Sequence, residues 1–260
     1  MSADKQGMSF IDALFTSISA NCVTGLIVVD TATFFSLKGK VLLLLLIQFG
    51  GLNIIAFATY FISFFRKSVE GHRNRTTIKE LLHTDSLDST KNMVKMVVFT
   101  TLIIEFIGTV ILYHQWDPQV GFSDNSEKLF YSVFHAISAF NNAGFTLFTD
   151  GFASAIVQST FPLHITVALL IILGGLGFTT IQDTFSIFRH RFRTKIPVQS
   201  KIAWVSTIVL VFIGTAIFFV AEKTNTLSQQ DFSEAITTSF FQSVTARTAG
   251  FNTVSFSNLT

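Results

Sequence analysis

Residues 137–145, I-S-A-F-N-N-A-G-F, place two asparagines and a glycine at the end of an apolar stretch. The run leading into them, Leu129–Phe140, reads as a helix. At about 1.5 Å per residue it is far too short to cross a bilayer. A helix broken at that depth needs a chemical reason.

Composition sets the class. Hydrophobic residues make up 49% of the 260, charged residues only 13%, and there are thirty-one Phe, with a mean hydropathy of +0.54. That lies outside the usual range of soluble domains and indicates a membrane protein. The net charge of +2 points to no particular partner, because the basic residues are sorted along the chain and not gathered into a nucleic-acid patch. A single cysteine, Cys22, excludes an internal disulfide and any multi-cysteine metal site. Met1–Ser9 is polar and leads into an amphipathic stretch, so no signal peptide is visible.

Four apolar spans, roughly Val41–Phe65, Met96–Tyr113, Phe161–Phe188 and Ile202–Ala221, approach the ~20 residues that cross ~30 Å of hydrocarbon. They are expected to be transmembrane helices. Three shorter apolar stretches, Phe10–Ala20, Leu129–Phe140 and Phe232–Thr245, have the length of half-membrane, re-entrant helices.

Each short stretch runs into a glycine, and the three glycines align without gaps. S-I-S-A-N-C-V-T-G-L reaches Gly25, A-I-S-A-F-N-N-A-G-F reaches Gly144, and Q-S-V-T-A-R-T-A-G-F reaches Gly250. A Phe stands ten residues before each one, at Phe15, Phe134 and Phe240. This is an internal repeat. It extends into the inner spans, where L-I-Q-F-G-G-L-N sets Gly50–Gly51 opposite Gly174–Gly175 of I-I-L-G-G-L-G-F-T. The unit is therefore outer helix, half-helix, glycine-bearing loop and inner helix. Repeats with discontinuous helices are a known route to ion sites in transporters.

Of the eighteen basic residues, seven fall in 66–95 and five in 189–201. The positive-inside rule places both segments in the cytoplasm and opens all three glycine loops outward. Residues 66–95 are open to a surface helix or a solvated loop.

Irregular backbone at membrane depth is tolerated only where its polar groups are buried in protein or line a water-filled cavity. A ring of such loops can aim carbonyls at a dehydrated cation, and a half-helix ending at the loop turns the negative end of its dipole the same way. Glycine permits the turn because it has no Cβ to clash. On this reading Asn142-Ala143-Gly144 is a wall of an ion filter, braced from behind by the asparagine side chains.

The stretches F-T-S-I-S-A-N-C-V-T-G-L-I-V-V-D-T, S-A-F-N-N-A-G-F, L-G-G-L-G-F and S-V-T-A-R-T-A-G-F-N-T resemble the Trk/Ktr/HKT family of cation transporters, most closely its bacterial TrkH/KtrB pore-forming subunits. The resemblance spans essentially the whole chain. It implies an all-α membrane protein with potassium-channel-like units, about 2.5 of the family's four being present. Repeat 1 would take residues 1–66 and lack its outer helix. Repeat 2 would take 96–188. Repeat 3 would take 202–260 and lack its inner helix, which in this family carries a gating loop. Cytoplasmic linkers would cover 67–95 and 189–201.

The resemblance further implies potassium uptake across the cell membrane by a homodimer gated by a cytoplasmic nucleotide-binding ring of the TrkA/KtrA kind. It assigns the filter carbonyls to Val23, Thr24 and Gly25, to Asn142, Ala143 and Gly144, and to Thr248, Ala249 and Gly250, with Asn141 and Arg247 as supports. Glycine at the first filter position, Gly25, resembles potassium-conducting members, with sodium open as a coupling or leak ion. Asn53 departs from the pattern, since the second unit has Gly177 there.

Other polar residues have plainer readings. Glu105, on an outer helix, is expected to be a neutral or hydrogen-bonded structural acid. Asp183 is expected to be solvated or paired with Arg189. Arg247 is open to a bracing role and to a mild electrostatic effect on ions. His135 and His164 read as hydrogen-bonded polar residues, and Gly50–Gly51 and Gly174–Gly175 as packing residues. The motifs of zinc proteases, serine hydrolases and P-loop enzymes are missing from the sequence, which argues against an enzyme. The alternatives are a truncated, non-conducting fragment and a coupled transporter for another small cation.

Charge sorting predicts the outcome of a labelling experiment. In a Cys22→Ser background, an impermeant thiol reagent on intact cells should label cysteines introduced near Asp124 and Thr226. Those introduced near Arg73 and Arg193 should stay protected, and labelling there would reverse the orientation.

Overall fold

The computed structural model describes residues 7–52, 87–154, 157, 161–189, 196–255 and 259–260. Among these residues every regular element is a helix. The first, α1 (Phe10–Asn21), is capped by Ser9, whose hydroxyl accepts from the Asp12 N–H at 3.1 Å. A single turn, α2 (Thr31–Phe34), starts at Asp30, which accepts from the Ala32 N–H. Helix α3 then occupies residues 37–52.

The second unit opens with α4 (Leu87–Gln115). Next comes α5 (Asn125–Phe140), capped by Asp124, which accepts from the Glu127 N–H at 2.7 Å. Its inner segment is α6 (Phe161–Gly175) followed by α7 (Phe178–Arg189). The third unit comprises α8 (Val198–Glu222) and α9 (Phe232–Thr248), where Asp231 and Glu234 form a capping box. Acidic caps and first turns thus face the positive ends of all three half-helices, leaving their negative ends for the loops.

Val94–Gln115 and Val198–Glu222 are long and apolar enough to cross a membrane. On α8, Phe212 and Val220 are each 76% exposed, as a lipid-facing side requires. The buried core lies inside, where α5 packs on α4 and α6, α6 also meets α4 and α9, and α9 lies along α8. Phe152 joins two units, stacking on Phe251 with ring centroids 5.3 Å apart and planes 16° off parallel.

Several expected boundaries shift. The span expected over Phe161–Phe188 is not one helix, because α6 and α7 meet at 103°. Gly177, at φ +80° with open space where a Cβ would lie, supplies the left-handed residue that redirects the chain. The half-helix expected from Leu129 begins at Asn125, where the acidic cap sets its start, and the one expected to stop at Thr245 continues to Thr248. The remainder of the first inner span, 53–65 with Asn53, lies outside the described residues, as do 67–86 and 190–195 of the linkers. Residues 87–95 are already helical, within α4.

The inner-helix glycines are seats for the half-helices. A Cβ at Gly50 would overlap the carbonyl oxygen of Asn21, the last residue of α1. A Cβ at Gly174 would overlap that of Phe140, the last residue of α5. The two contacts are equivalent in the repeat. Gly50→Ala and Gly174→Ala should therefore each destabilise the fold by about 1–3 kcal/mol, the usual scale of overpacking, while Gly177→Ala leaves both seats intact. Thermal midpoints of the purified variants in detergent check this.

Candidate functional site

The α1 and α5 half-helices end in the same way. After α1, the Val23 N–H donates to the Ala20 carbonyl at 3.2 Å and the Thr24 N–H to Ser19 at 2.9 Å. After α5, Asn142 donates to Ala139 at 3.0 Å and Ala143 to Ser138 at 2.8 Å. These paired bonds form the Schellman closure, which needs a left-handed residue just past the cap. Val23 and Asn142 fill that place at φ 56° and 57°.

For a β-branched valine this conformation is strained, at a cost of about 1–3 kcal/mol. Gly25 and Gly144 are again left-handed, at φ 77° and 71°. In each of these two loops a residue of ordinary φ, Thr24 or Ala143, thus stands between two left-handed ones.

The third loop differs. Thr248 is the last residue of α9, Ala249 is a right-handed cap, and only Gly250 is left-handed, at φ 76°. The Gly250 N–H reaches back to the Thr245 carbonyl at 3.4 Å, one position out of step with the other two loops. Helical φ/ψ persists through Arg247 and Thr248, where the other units turn at Cys22–Val23 and Asn141–Asn142.

The structure brings the three loops side by side. A Cβ on Gly25 would run into the Ala143 carbonyl, and one on Gly144 into the Ala249 carbonyl, whereas Gly250 has only the Gly144 Cα at 4.0 Å. Backbone packs on backbone around the series, with Ala143 and Ala249 buried between loops. Gly25, Gly144 and Gly250 open together on one cavity of about 930 Å³. Among the described residues its lining includes the carboxylates Asp30 and Asp150 and no lysine or arginine. Two lining residues, Asn225 and Thr226, donate to Glu222, from Nδ2 at 2.9 Å and from Oγ1 at 2.8 Å. Val23 and Asn142, at the other ends of their loops, line a separate cavity of about 190 Å³ with Gly51, Gly174 and Phe178. Thr24 is exposed.

Both asparagine side chains reach away from the loop backbone. Asn141 Nδ2 donates to Glu105 Oε1 at 3.0 Å and to the Ile137 carbonyl at 2.9 Å. With its amide nitrogen turned inward, Asn142 donates to the carbonyls of Ala139 at 3.3 Å and Ile171 at 3.1 Å. Arg247 Nη2 donates to Thr207 Oγ1 at 3.4 Å.

Glu105 is hydrogen-bonded, as expected. Asp183 is half-buried and accepts from Ser200 Oγ at the start of α8, while the side chain of Arg189 lies outside the described residues. His135 is fully buried. Its Nδ1–H donates to the Tyr131 carbonyl at 2.8 Å, and its Nε2 accepts from the Leu147 N–H at 3.3 Å. His164 has the backbone of Val157 as a polar neighbour. Its buried ring sits among Phe152, Phe161 and Phe241 with no side-chain hydrogen bond among the described residues. No cluster of His, Cys, Asp or Glu able to hold a metal ion occurs among the described residues.

Sequence reasoning missed two serines. Ser19 Oγ donates to the Leu26 carbonyl and Ser138 Oγ to the Phe145 carbonyl, both at 2.7 Å. Each serine stands six residues before its glycine and ties the residue after that glycine back to the half-helix. The signal was present in the repeat, but Val244 occupies the place in the third unit, which hides it.

Half-helices that stop inside a helical membrane protein and present glycine loops to one cavity define the class of helical proteins that move small ions or solutes through the bilayer. Comparison with known proteins narrows this. The family described as TrkH, cation transport protein, matches residues 1–260, and the chain belongs to it. The family is one of transporters and not of enzymes.

The Ktr system potassium uptake protein B of Vibrio alginolyticus is 40% identical over 259 residues, 98% of this chain and 55% of that protein. Its counterpart in Bacillus subtilis is 39% identical over 254 residues, with shares of 97% and 55%. The potassium/sodium uptake protein NtpJ of Enterococcus hirae is 34% identical over 248 residues, with shares of 95% and 53%. The chain thus spans about half the length of these relatives. The crystal structure of the potassium transporter TrkH from Vibrio parahaemolyticus has the same fold, with a TM-score of 0.67 at 18% identity over 96% of this chain and 47% of that one.

Ser138→Ala removes the donor to a buried carbonyl and should lower stability by about 1–3 kcal/mol. Ser19→Ala, at a more exposed loop, should cost less. Thermal unfolding of the two variants beside the parent checks the order.

Proposed function

We propose that this chain lines a pore for potassium uptake across the cell membrane. In this reading an ion is coordinated by backbone carbonyls of Val23-Thr24-Gly25, Asn142-Ala143-Gly144 and Thr248-Ala249-Gly250. The observation that carries it is that the three glycines abut through their backbones and open on one carboxylate-lined cavity. Carbonyl oxygens replace part of a dehydrated ion's water shell, and the acids of the cavity raise the local cation concentration ahead of it. The open side of Gly250 is where a further loop would complete the ring.

The names of the Vibrio and Bacillus relatives support potassium as the cargo, while the potassium/sodium name of the Enterococcus relative favours sodium as a second permeant ion. Homodimerisation, control by a cytoplasmic nucleotide-binding ring, and outward-facing loops with cytoplasmic basic linkers complete the proposal. They rest on the family resemblance and the charge sorting.

Ion discrimination tests the reading. In the full-length gene product, Gly144→Ser adds a Cβ against the Ala249 carbonyl and should cut discrimination of potassium over sodium severalfold, read as competitive uptake in a bacterium lacking its own potassium systems. Gly174→Ser meets the end of the half-helix instead and should chiefly lower the amount of folded protein. Equal loss of discrimination in both would place the filter elsewhere.

A further inference from the structure

Asn141 and Arg247 hold the same place in their units, three residues before the glycines. Each sends its side chain to the outer helix of its own unit, Asn141 to Glu105 on α4 and Arg247 to Thr207 on α8. Those outer helices share the sequence F-I-G-T at 106–109 and 212–215. The alignment pairs Thr101 with Thr207 and sets Glu105 against Val211. The second unit therefore carries a carboxylate where the third has a valine, within otherwise matching helices.

A carboxylate at that depth is costly unless hydrogen-bonded, and such residues are kept where they act. Glu105 is only 4% exposed. It receives the Asn141 amide at 3.0 Å, and the side chain of Gln48 of α3 lies close to its carboxyl, without a hydrogen bond of its own among the described residues. Asn141 is held on its other side as well, since its Oδ1 lies where a Cβ on Gly51 of α3 would stand. Asn141 is the cap of α5, and the left-handed turn at Asn142 comes directly after it.

The geometry points to Glu105 as a positioning residue for the second loop: its carboxylate fixes Asn141 and, through that cap, the path of Asn142-Ala143-Gly144. This rests on the reading of that loop as a filter wall. Glu105 touches no ion. It acts by restricting the cap, because a buried carboxyl oxygen that accepts the Asn141 amide at 3.0 Å holds that side chain in one place, and losing the acceptor leaves the amide without it. The peptide beyond a cap with fewer tethers has more freedom, and a carbonyl cage with a mobile wall discriminates less between ions of different radius.

The test uses the full-length gene product with two readouts, potassium-over-sodium discrimination in rubidium uptake and the thermal midpoint in detergent. Glu105→Gln keeps an oxygen to accept the Asn141 amide and should stay within about twofold of the parent, whereas Glu105→Leu should lose discrimination about fivefold or more. Asn141→Asp, which sets two carboxyls together, should lose it similarly. The double variant Glu105→Gln with Asn141→Asp exchanges amide and carboxylate and should recover most of the loss in both readouts.

Unchanged discrimination in Glu105→Leu would overturn the assignment, and so would equal losses in the Gln and Leu variants, which would mean that charge alone matters. If Glu105→Leu gives no folded protein, recovery in the exchanged pair decides, and its failure refutes the contact. A parent without potassium-selective uptake would overturn the proposed function instead, and the thermal midpoints of the exchange would then decide whether Glu105 holds Asn141.

Discussion

A helix that stops inside a membrane leaves its last carbonyls without partners, and lipid offers none. The rest of this structure answers that constraint. The Schellman closures at Val23 and Asn142 return two N–H groups to each half-helix. Ser19 and Ser138 secure the chain beyond the glycines. Inner-helix backbone at Gly50 and Gly174 closes over the final turn. Beyond these fastenings the three glycines face one open cavity.

The three units solve the problem unequally. The second is the most heavily braced, with Asn141 tied to α4, Asn142 tied to α6, and His135 bonded at both ring nitrogens beneath the loop. The first has Cys22 and Val23 in the asparagine places and keeps the same turn through two backbone bonds, with Ser19 holding Leu26 beyond it. The third continues its helix to Thr248 and relies on Arg247 and on Ser243, which donates to the Val211 carbonyl at 2.8 Å.

Much of this was legible beforehand because helix length and glycine register are one-dimensional properties. The half-helices at Phe10 and Phe232 start where the sequence places them, and the three glycines meet as their shared offset implies. What escaped depends on contacts between distant segments or on a single dihedral. Continuous hydropathy over Phe161–Phe188 cannot reveal that Gly177 adopts φ +80° and bends the span. Asp183 finds Ser200 across a linker, and Glu105 finds Asn141 thirty-six residues on. In the third loop Gly250 keeps the register while the backbone before it stays helical, so residue identity alone overstates the likeness to the other two.

The seats at Gly50 and Gly174 also make the assembly mechanically stiff. Elsewhere in the core, side chains separate helix axes by the usual 8–10 Å and absorb small displacements by changing rotamer. Here main chain bears on main chain, with no side chain between to yield, and the bearing point is the residue just before each closure. A slide or tilt of α3 or α6 is therefore delivered undamped to the base of the neighbouring loop. The inner helices act as levers on the site whose rear walls they form.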